Sequence, residues 1–438
     1  MKNEEWGCAT LRFIQEHSED DVKTLALKAH GLEGVDLPYA LDQIEGRQTA
    51  RRKLPSWAAV DSIVYPPHIS MEQCSSEQTA LYKKSVLDRL NWLSLRSPND
   101  VSSLFTLHSS FLIDLTGGFG VDFSFLSRGF RKAVYVERQE HLCDAASHNF
   151  RCLGMDNAEV VCEEAEDYLD YCDNADVIYL DPARRDSHGG KTFAISDCTP
   201  DVISLLPTLL KKARLVMIKL SPMLDWRKAV ADLGEENVVE VHIVSVDNEC
   251  KELIVVLSSL SSSPSTSSSA FCPSLYCVNI LTGTLSTLVV PLSRQSQCGK
   301  QEFAVSGNQE TAVSPAFLYE PNASIMKAGC FDALCDRYPH LIKIAPNSHL
   351  FISSEEIPDF PGRSFSIEKT TTMNKKELRK ALSGITSANI ATRNFPLSVN
   401  ELRKRLKLKD GGNTYIFATT DINTCHILYI CAKISNNI

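Results

Sequence analysis

An α/β fold with a mainly parallel central sheet is what this sequence predicts, and three features point to it. The apolar run FLI ends in Asp114 and a small-residue turn, Thr116-Gly117-Gly118-Phe119-Gly120. About sixty residues on, the run VIYL ends in Asp181-Pro182. Around these, strand-like and helix-like stretches alternate from residue 101 to 260. Parallel strands covered on both faces read as continuous apolar runs. Two that stop at carboxylates bring both acids to the carboxyl edge of one sheet, where open α/β sheets bind ligands.

In chain order, residues 1–100 read as a mostly helical region. Leu11, Ile14, Val22, Leu25 and Leu27 suggest short amphipathic helices, and Ser75-Ser76-Glu77 supplies an amino-terminal cap for TALYKKSVLDRLNWL. Between them lies a basic patch, Arg47, Arg51, Arg52 and Lys53, suited to substrate recognition or to packing on the sheet. Residues 101–260 give strands at 111–116, 133–137, 158–162, 177–181 and 214–220, with helices between. VVEVHIVSVDNECKELIVVLSS then reads as an antiparallel hairpin turning at Asp247-Asn248 and closing one sheet edge. The serine run at 258–269 cannot bury a core and marks a linker. Residues 261–363 form a β-rich connecting region with a hairpin at YCVNILTG and TLSTLVVPL and a helix at NASIMKAGCFDAL. Residues 364–438 read β-α-β-α-β-β, a small α/β domain.

Composition narrows the classes. At 43% hydrophobic and 23% charged residues the 438-residue chain has the material for packed domains. No apolar run reaches the length of a membrane span, and MKNEEWGCAT lacks a secretory pattern, so a cytoplasmic protein without a membrane partner is expected. The 15 cysteines are an odd number without CxxC, which fits reduced thiols. Cys272/Cys277 and Cys330/Cys335 are C-x4-C pairs, but residues five apart on a helix point in different directions. No metal site is expected. Net charge is −9, yet Arg363–Lys409 holds twelve Lys and Arg against three Glu, a net of nine positive charges that leaves −18 on the rest. An acidic body with one basic stretch suggests a polyanionic partner there, and no obligate protein partner is evident.

The motifs carry the chemistry. Glycines after Asp114 let the backbone turn tightly and approach a ligand. The spacing is G-G-x-G instead of the G-x-G-x-x-G of dinucleotide sites, which favours S-adenosylmethionine over NAD. Its carboxylate suits the loop N–H groups of Thr116, Gly117, Gly118 and Gly120, and Asp114 suits its ammonium. Glu137 ends the next strand, about twenty residues on, where a carboxylate can accept both ribose hydroxyls. Glu164 is placed for the adenine amino group, with Glu163 and Glu166 competing for that role. Asp181 and Pro182 present a carboxylate and a carbonyl to one small volume, suited to holding an amine during group transfer, and Asp181 is also a candidate cofactor contact. Arg184 and Arg185 suit a phosphate or a base face, DSHGGKTF after them suits a lid, and Lys219 either lines the cleft or caps a buried carboxylate.

On these residues the region from about 75 to 260 resembles the class I S-adenosylmethionine-dependent methyltransferases. DLTGGFG resembles their first motif, Glu137 their ribose-binding acid and DPARR their Asp/Asn-Pro-Pro motif. DPARRD, YEPNASIMKAG, IAPNSHLF and NFPLSVNELRKRLKLK make the whole chain similar to a bacterial methyltransferase group with a THUMP-like carboxyl-terminal domain. The resemblance implies a Rossmann-like catalytic sheet over residues 101–260, S-adenosylmethionine as cofactor and tRNA or rRNA as substrate. Lys375, Lys376, Arg379, Arg403, Lys404 and Arg405 would then contact phosphates. Arg184 replaces the base-stacking aromatic of amino-methylating relatives, and Lys219-Leu220-Ser221-Pro222 lacks the cysteine of carbon-methylating ones. Carbon-5 pyrimidine chemistry by the cysteine route is therefore not expected, and transfer to a base nitrogen is the preferred reading. The alternatives are a methyltransferase for a protein or small molecule, and a non-catalytic RNA-binding protein on a vestigial fold.

Overall fold

The computed structural model describes residues 7–28, 32–94, 110–184, 195–259, 273–292 and 316–434, with the side chains of Lys28, of 91–94 and of Arg184 outside that description. The chain divides into two compact units, Met1–Val241 with Glu252–Cys272, and His242–Lys251 with Pro273–Ile438. The serine run from 260 onward, Arg185 and the expected lid lie outside the described residues.

The first unit opens with helices α1 (Cys8–Glu16), α2 (Val22–Lys28), α3 (Leu37–Lys53), α4 (Pro55–Ala58), α5 (His68–Gln73) and α6 (Glu77–Ser94). Asp36 caps α3 by accepting from Tyr39 N at 3.1 Å, and Ser76 Oγ accepts from Thr79 N at 3.2 Å as α6 begins. Leu25 is buried, but Leu11 and Leu27 face solvent, and Phe13 takes the buried place on α1. The basic patch is largely consumed internally. Arg47 pairs with Asp61 and Arg51 with Glu19, while Lys53 donates to the carbonyls of Met71 and Glu72 at 2.7 and 2.8 Å. Fully buried Trp57 anchors the region, 4.9 Å from the Phe119 ring, with its indole N–H donating to Ser124 Oγ at 3.2 Å.

The sheet follows: β1 (Phe111–Asp114), α7 (Val121–Leu126), β2 (Lys132–Glu137), α8 (Glu140–Cys152), β3 (Ala158–Cys162), α9 (Ala165–Tyr171), β4 (Ala175–Leu180), a two-residue pairing of β5 (Ala183–Arg184) with β6 (Cys198–Thr199), α10 (Val202–Lys212), β7 (Ala213–Leu220) and α11 (Trp226–Leu233). The order is β3-β2-β1-β4-β7, all parallel, with Ile113 between Val134 and Ile178. The chain steps outward from β1 to β3 and returns on the other side of β1 as β4. Loops leaving β1 and β4 therefore diverge and open a crevice at their carboxyl ends.

Strands β8 (Val238–Val246) and β9 (Glu249–Leu257) form the expected hairpin, with positive φ at Asp247 and Asn248, 50° and 65°, as a two-residue turn of this hand requires. β9 runs antiparallel on β7. The hairpin does not close the edge, because β10 (Ser274–Leu281) lies beside β8, followed by its partner β11 (Thr284–Pro291). The polar residues of β8 are buried and partnered. Glu240 accepts two bonds of 2.6 Å from Arg89, His242 stacks 4.6 Å from Tyr276, and Ser245 Oγ donates to Val278 O at 2.9 Å.

The second unit also holds β12 (Phe317–Pro321), α12 (Ala323–Ala328), α13 (Phe331–Arg337), β13 (Ile342–Lys343), β14 (Phe351–Ser353), β15 (Gly362–Thr372), α14 (Lys375–Ala381), β16 (Asn389–Arg393), α15 (Val399–Leu406), β17 (Thr414–Thr420) and β18 (His426–Lys433). The β-α-β-α-β-β order is the expected one, and the sheet runs β13-β14-β12-β15-β18-β17-β16. The single helix read from NASIMKAGCFDAL is two, broken at Gly329 with φ of 69°. Buried Glu320 of β12 binds both Arg363 and Arg393. Cys330 lies 3.5 Å, sulfur to sulfur, from Cys277, away from its sequence neighbour Cys335. Among the described residues no helix is long and apolar enough to cross a membrane, and no three His, Cys, Asp or Glu side chains are grouped to hold a metal.

Replacing Trp57 by Ala removes the ring from the contact between the amino-terminal helices and α7. Urea unfolding is expected to show a loss of about 3–5 kcal/mol; a loss below about 1 kcal/mol would mean that these helices do not need the anchor.

Candidate functional site

The crevice between the ends of β1 and β4 gathers most of the first unit's candidate residues. Asp114 closes β1, is 1% exposed, and turns Oδ1 to accept from Thr116 N at 3.0 Å. The glycine loop is fixed from beneath. A Cβ on Gly117 would sit 2.1 Å from the Tyr135 ring, and one on Gly120, whose φ is +84°, would sit 2.7 Å from Phe150. Tyr135 OH also donates to Gly118 O. Gly118 differs: a Cβ there would meet nothing nearer than Thr116 O at 3.9 Å, so the Cα face of this residue is uncrowded although its N–H and carbonyl are both bonded.

Glu137, at the end of β2, reaches the same loop. Its Oε2 accepts from Gly118 N at 2.9 Å and its Oε1 from Gln139 N at 3.0 Å. Oε1 also accepts from Gln139 Nε2 at 3.3 Å, so with two acceptor positions on each oxygen the remaining place for a hydroxyl donor is on Oε2. Glu164 stands apart, half exposed before α9, with Arg138 at 3.9 Å; Glu163 instead accepts from Tyr171 OH at 2.6 Å. Asp181 is tied to the loop through its backbone N–H, which donates to Thr116 Oγ1 at 2.6 Å. Its side chain stays 37% exposed and takes a 2.5 Å bond from Lys219 Nζ. Lys219 therefore both lines the crevice and pairs a carboxylate, joining the two roles its sequence position left open.

Behind Lys219 runs a line of buried charges that the sequence did not announce. Asp122 Oδ2 lies 4.0 Å from Lys219 Nζ and accepts from Tyr179 OH at 2.7 Å and Ser75 Oγ at 2.8 Å. Asp122 Oδ1 is 3.0 Å from Lys83 Nζ, and Lys83, fully buried on α6, donates to Glu252 Oε2 at 2.6 Å. The sign alternates along Glu252, Lys83, Asp122, Lys219 and Asp181. An acid in the first turn of the largely apolar VDFSFL helix is the one legible signal; Lys83 and Glu252 lie 169 positions apart.

These surroundings set the protonation preferences. Burial raises the pKa of Asp181, with Lys219 opposing it, and the acids around Lys219 hold its amine charged despite burial. Burial would raise Asp122 too, but Lys83, Lys219, Tyr179 and Ser75 outweigh it and bring its pKa below the ordinary value. Asp114 is pushed well above its ordinary value by burial and by Asp122, Asp181 and Glu137, against one N–H bond from Thr116. Among the described residues no cation pairs with Asp114.

In the second unit, Lys375, Lys376 and Arg379 are exposed on α14 and, with Lys380 and Ser383, line an open hollow of about 740 Å³. Lys404 and Arg405 are exposed on α15. Arg403 is already engaged, donating to Ala388 O at 3.0 Å and pairing with Asp410 at 2.7 Å.

Residues 362–433 match the family model of a THUMP domain-like module, and residues 317–361 match a ferredoxin-like domain. A proposed methyltransferase of Porphyromonas gingivalis W83 superposes with a TM-score of 0.78 at 29% identity, over 98% of this chain and 98% of its own. An rRNA methylase of Streptococcus thermophilus covers 34% of this chain and 88% of its own, at 17% identity and a TM-score of 0.27. M. capricolum TrmK, solved with S-adenosyl-homocysteine, covers 39% and 67%, at 11% identity and 0.27. At such scores these last two support no conclusion. No curated protein matches the chain.

The raised pKa of Asp114 has a stability consequence. The native state holds the proton more tightly than the unfolded chain, so its stability falls as pH rises past the unfolded value of about 3.9. Asp114→Asn keeps an oxygen for Thr116 N–H and removes the ionisation. Denaturant unfolding should show the variant more stable than the parent near pH 7, with the gap closing near pH 3 where both side chains are neutral. A gap independent of pH would contradict this assignment.

Proposed function

With residues 362–433 a THUMP-like domain and the whole chain built on the plan of the Porphyromonas protein, we propose that this protein is an S-adenosylmethionine-dependent methyltransferase that modifies tRNA or rRNA at a base nitrogen. The observation that carries the reading is the tie between Asp181 and the glycine loop through Thr116, which fixes a partly open carboxylate to the turn that holds the uncrowded Gly118.

The residues present fit the cofactor. Asp114 is a buried carboxylate destabilised by its acidic neighbours, and an ammonium would supply the counter-charge it lacks. The N–H groups of Thr116, Gly117, Gly118 and Gly120 are already bonded to Asp114, Val136 O, Glu137 and Gly117 O, so the loop offers the uncrowded Cα face of Gly118 and not the N–H cradle expected from its sequence, and Glu137 sits at the strand end suited to ribose hydroxyls. Glu164, exposed beyond β3, is assigned the adenine edge. S-adenosylmethionine supplies an electrophilic methyl group when bound. Everything else the chain contributes is alignment. Asp181, oriented by Lys219, accepts a hydrogen bond from the amine that will take the methyl and lowers the cost of the positive charge developing there. Pro182 directs the chain away so that the carboxylate and its neighbouring carbonyl stay at the crevice, and Arg184 and Arg185 follow as candidates for base or phosphate contact. A paired target base must leave its stack to reach Asp181.

For RNA, the reading draws on the exposed Lys375, Lys376, Arg379, Lys404 and Arg405. Arg403 is assigned a lesser share, because it already bonds Ala388 and Asp410.

Two measurements test this. Labelled methyl from S-adenosylmethionine should enter one size class of RNA taken from cells lacking the protein, and Asp181→Ala should reduce the label by about 100-fold or more while cofactor affinity is retained. Cofactor binding without any label in RNA would move the search to proteins and small molecules. Reversing the charge of Lys375, Lys376, Arg379, Lys404 and Arg405 should weaken RNA binding uniformly and flatten its salt dependence by roughly 0.7–0.9 in slope for each phosphate no longer neutralised. An unchanged slope would remove these side chains from the interface.

A further inference from the structure

The line of charges behind Asp181 gives the amino-terminal helices a role in the site. Asp122 is the branch point: a carboxylate under a tenth exposed, with Lys83 Nζ at 3.0 Å on one side and Lys219 Nζ at 4.0 Å on the other. Lys219 thus has two anionic neighbours and stands on Asp181 at 2.5 Å. Lys83, wholly enclosed and held by Glu252 at 2.6 Å, occupies the other side of Asp122 and satisfies its charge there. Were Lys83 absent, Asp122 would be a buried carboxylate with Tyr179 OH and Ser75 Oγ as its remaining donors and Lys219 as the nearest cation. Unpaired buried charge is among the costliest arrangements in a protein, so Lys219 would be drawn off Asp181 to cover it.

We propose that Lys83 is a positioning residue for Asp181: by neutralising Asp122 it commits Lys219 to the Asp-Pro turn, and α6 thereby holds the site in its working geometry. The inference rests on the methyltransferase reading only for what Asp181 does; the placement of Lys219 is independent of it. The groups facing the shared carboxylate are Lys83 from α6, Lys219 from β7, Tyr179 from β4 and Ser75 before α6, with Glu252 of β9 behind Lys83.

The test uses the full chain in two forms. Lys83→Met with Glu252→Gln removes the cation without leaving Glu252 as a lone charge. The same pair with Asp122→Asn also removes the rival anion, while its amide oxygen can still accept from Tyr179 and Ser75. In crystal structures of the two variants, Lys219 Nζ should shift from Asp181 to Asp122 in the first and return to Asp181 in the second. In methyl transfer, kcat should fall by about tenfold or more in the first with cofactor affinity within about twofold, and recover in the second. A purely packing role predicts the reverse order, with the third substitution adding damage. Lys219 remaining on Asp181 in the first variant would overturn the proposal, as would failure of Asp122→Asn to restore either readout. If Lys219 moves as described while the parent protein transfers no methyl group to any substrate, the positioning stands and it is the functional reading that fails.

Discussion

A buried charge must be answered by another, and in the first unit that requirement runs through several elements in succession. Lys83 has no exposed surface, so Glu252 and Asp122 must meet it; Asp122 is met in turn by Lys219, Tyr179 and Ser75. The partners come from α6, β9, α7, β7 and β4, so each of these elements is held in register by a demand that apolar packing alone would not impose. Such networks are weak evidence for added stability, since apolar replacements of equal volume often do as well. They are strong constraints on geometry, because a shift of any member leaves a neighbour uncompensated. The outer end of the line, Asp181, is the one member that opens to solvent, at 37% side-chain exposure.

The glycine loop is governed by a second constraint, of shape. Tyr135 and Phe150 occupy the space that side chains at Gly117 and Gly120 would need, and Tyr135 OH holds Gly118 O. The loop is pressed onto aromatic rings on its inner side, which leaves the Cα face of Gly118 uncrowded. Glu137 then accepts from Gly118 N, and Thr116 reaches across to Asp181 N. Three strand ends are thereby linked through one short turn: β1 by continuity, β2 through Glu137 and β4 through Asp181. Strand order explains why these ends are neighbours, since the chain leaves β1 on one side and returns on the other.

The second unit uses a related device, with Glu320 buried beneath Arg363 and Arg393. Its surface basic residues divide into two kinds. Arg363, Arg393 and Arg403 have carboxylate partners, whereas Lys375, Lys376 and Arg379 line an open hollow. Net charge along the sequence cannot make that distinction, because it counts a paired arginine and a free lysine alike.

Sequence alone determined the parallel strands, their acidic ends and the β-α-β-α-β-β order of the carboxyl-terminal module. Each follows from short-range regularities: apolar runs bounded by turn residues, and caps such as Ser398 with Glu401, which bond reciprocally at the start of α15. It also marked Asp114, Glu137 and Asp181, because strand ends and glycine turns are local features. The β8–β9 hairpin read as closing the edge because a turn between two strands is local, whereas the strand that covers β8 begins 28 positions after that strand ends. Tertiary structure decided that β10 covers β8, that most of the amino-terminal basic patch is spent on internal pairs, and that Lys83 answers Asp122. The physical reason is the same in each case. Whether a charged or polar side chain is free or satisfied depends on what meets it after folding, and the nearest partner of Lys83 comes from a residue 169 positions away.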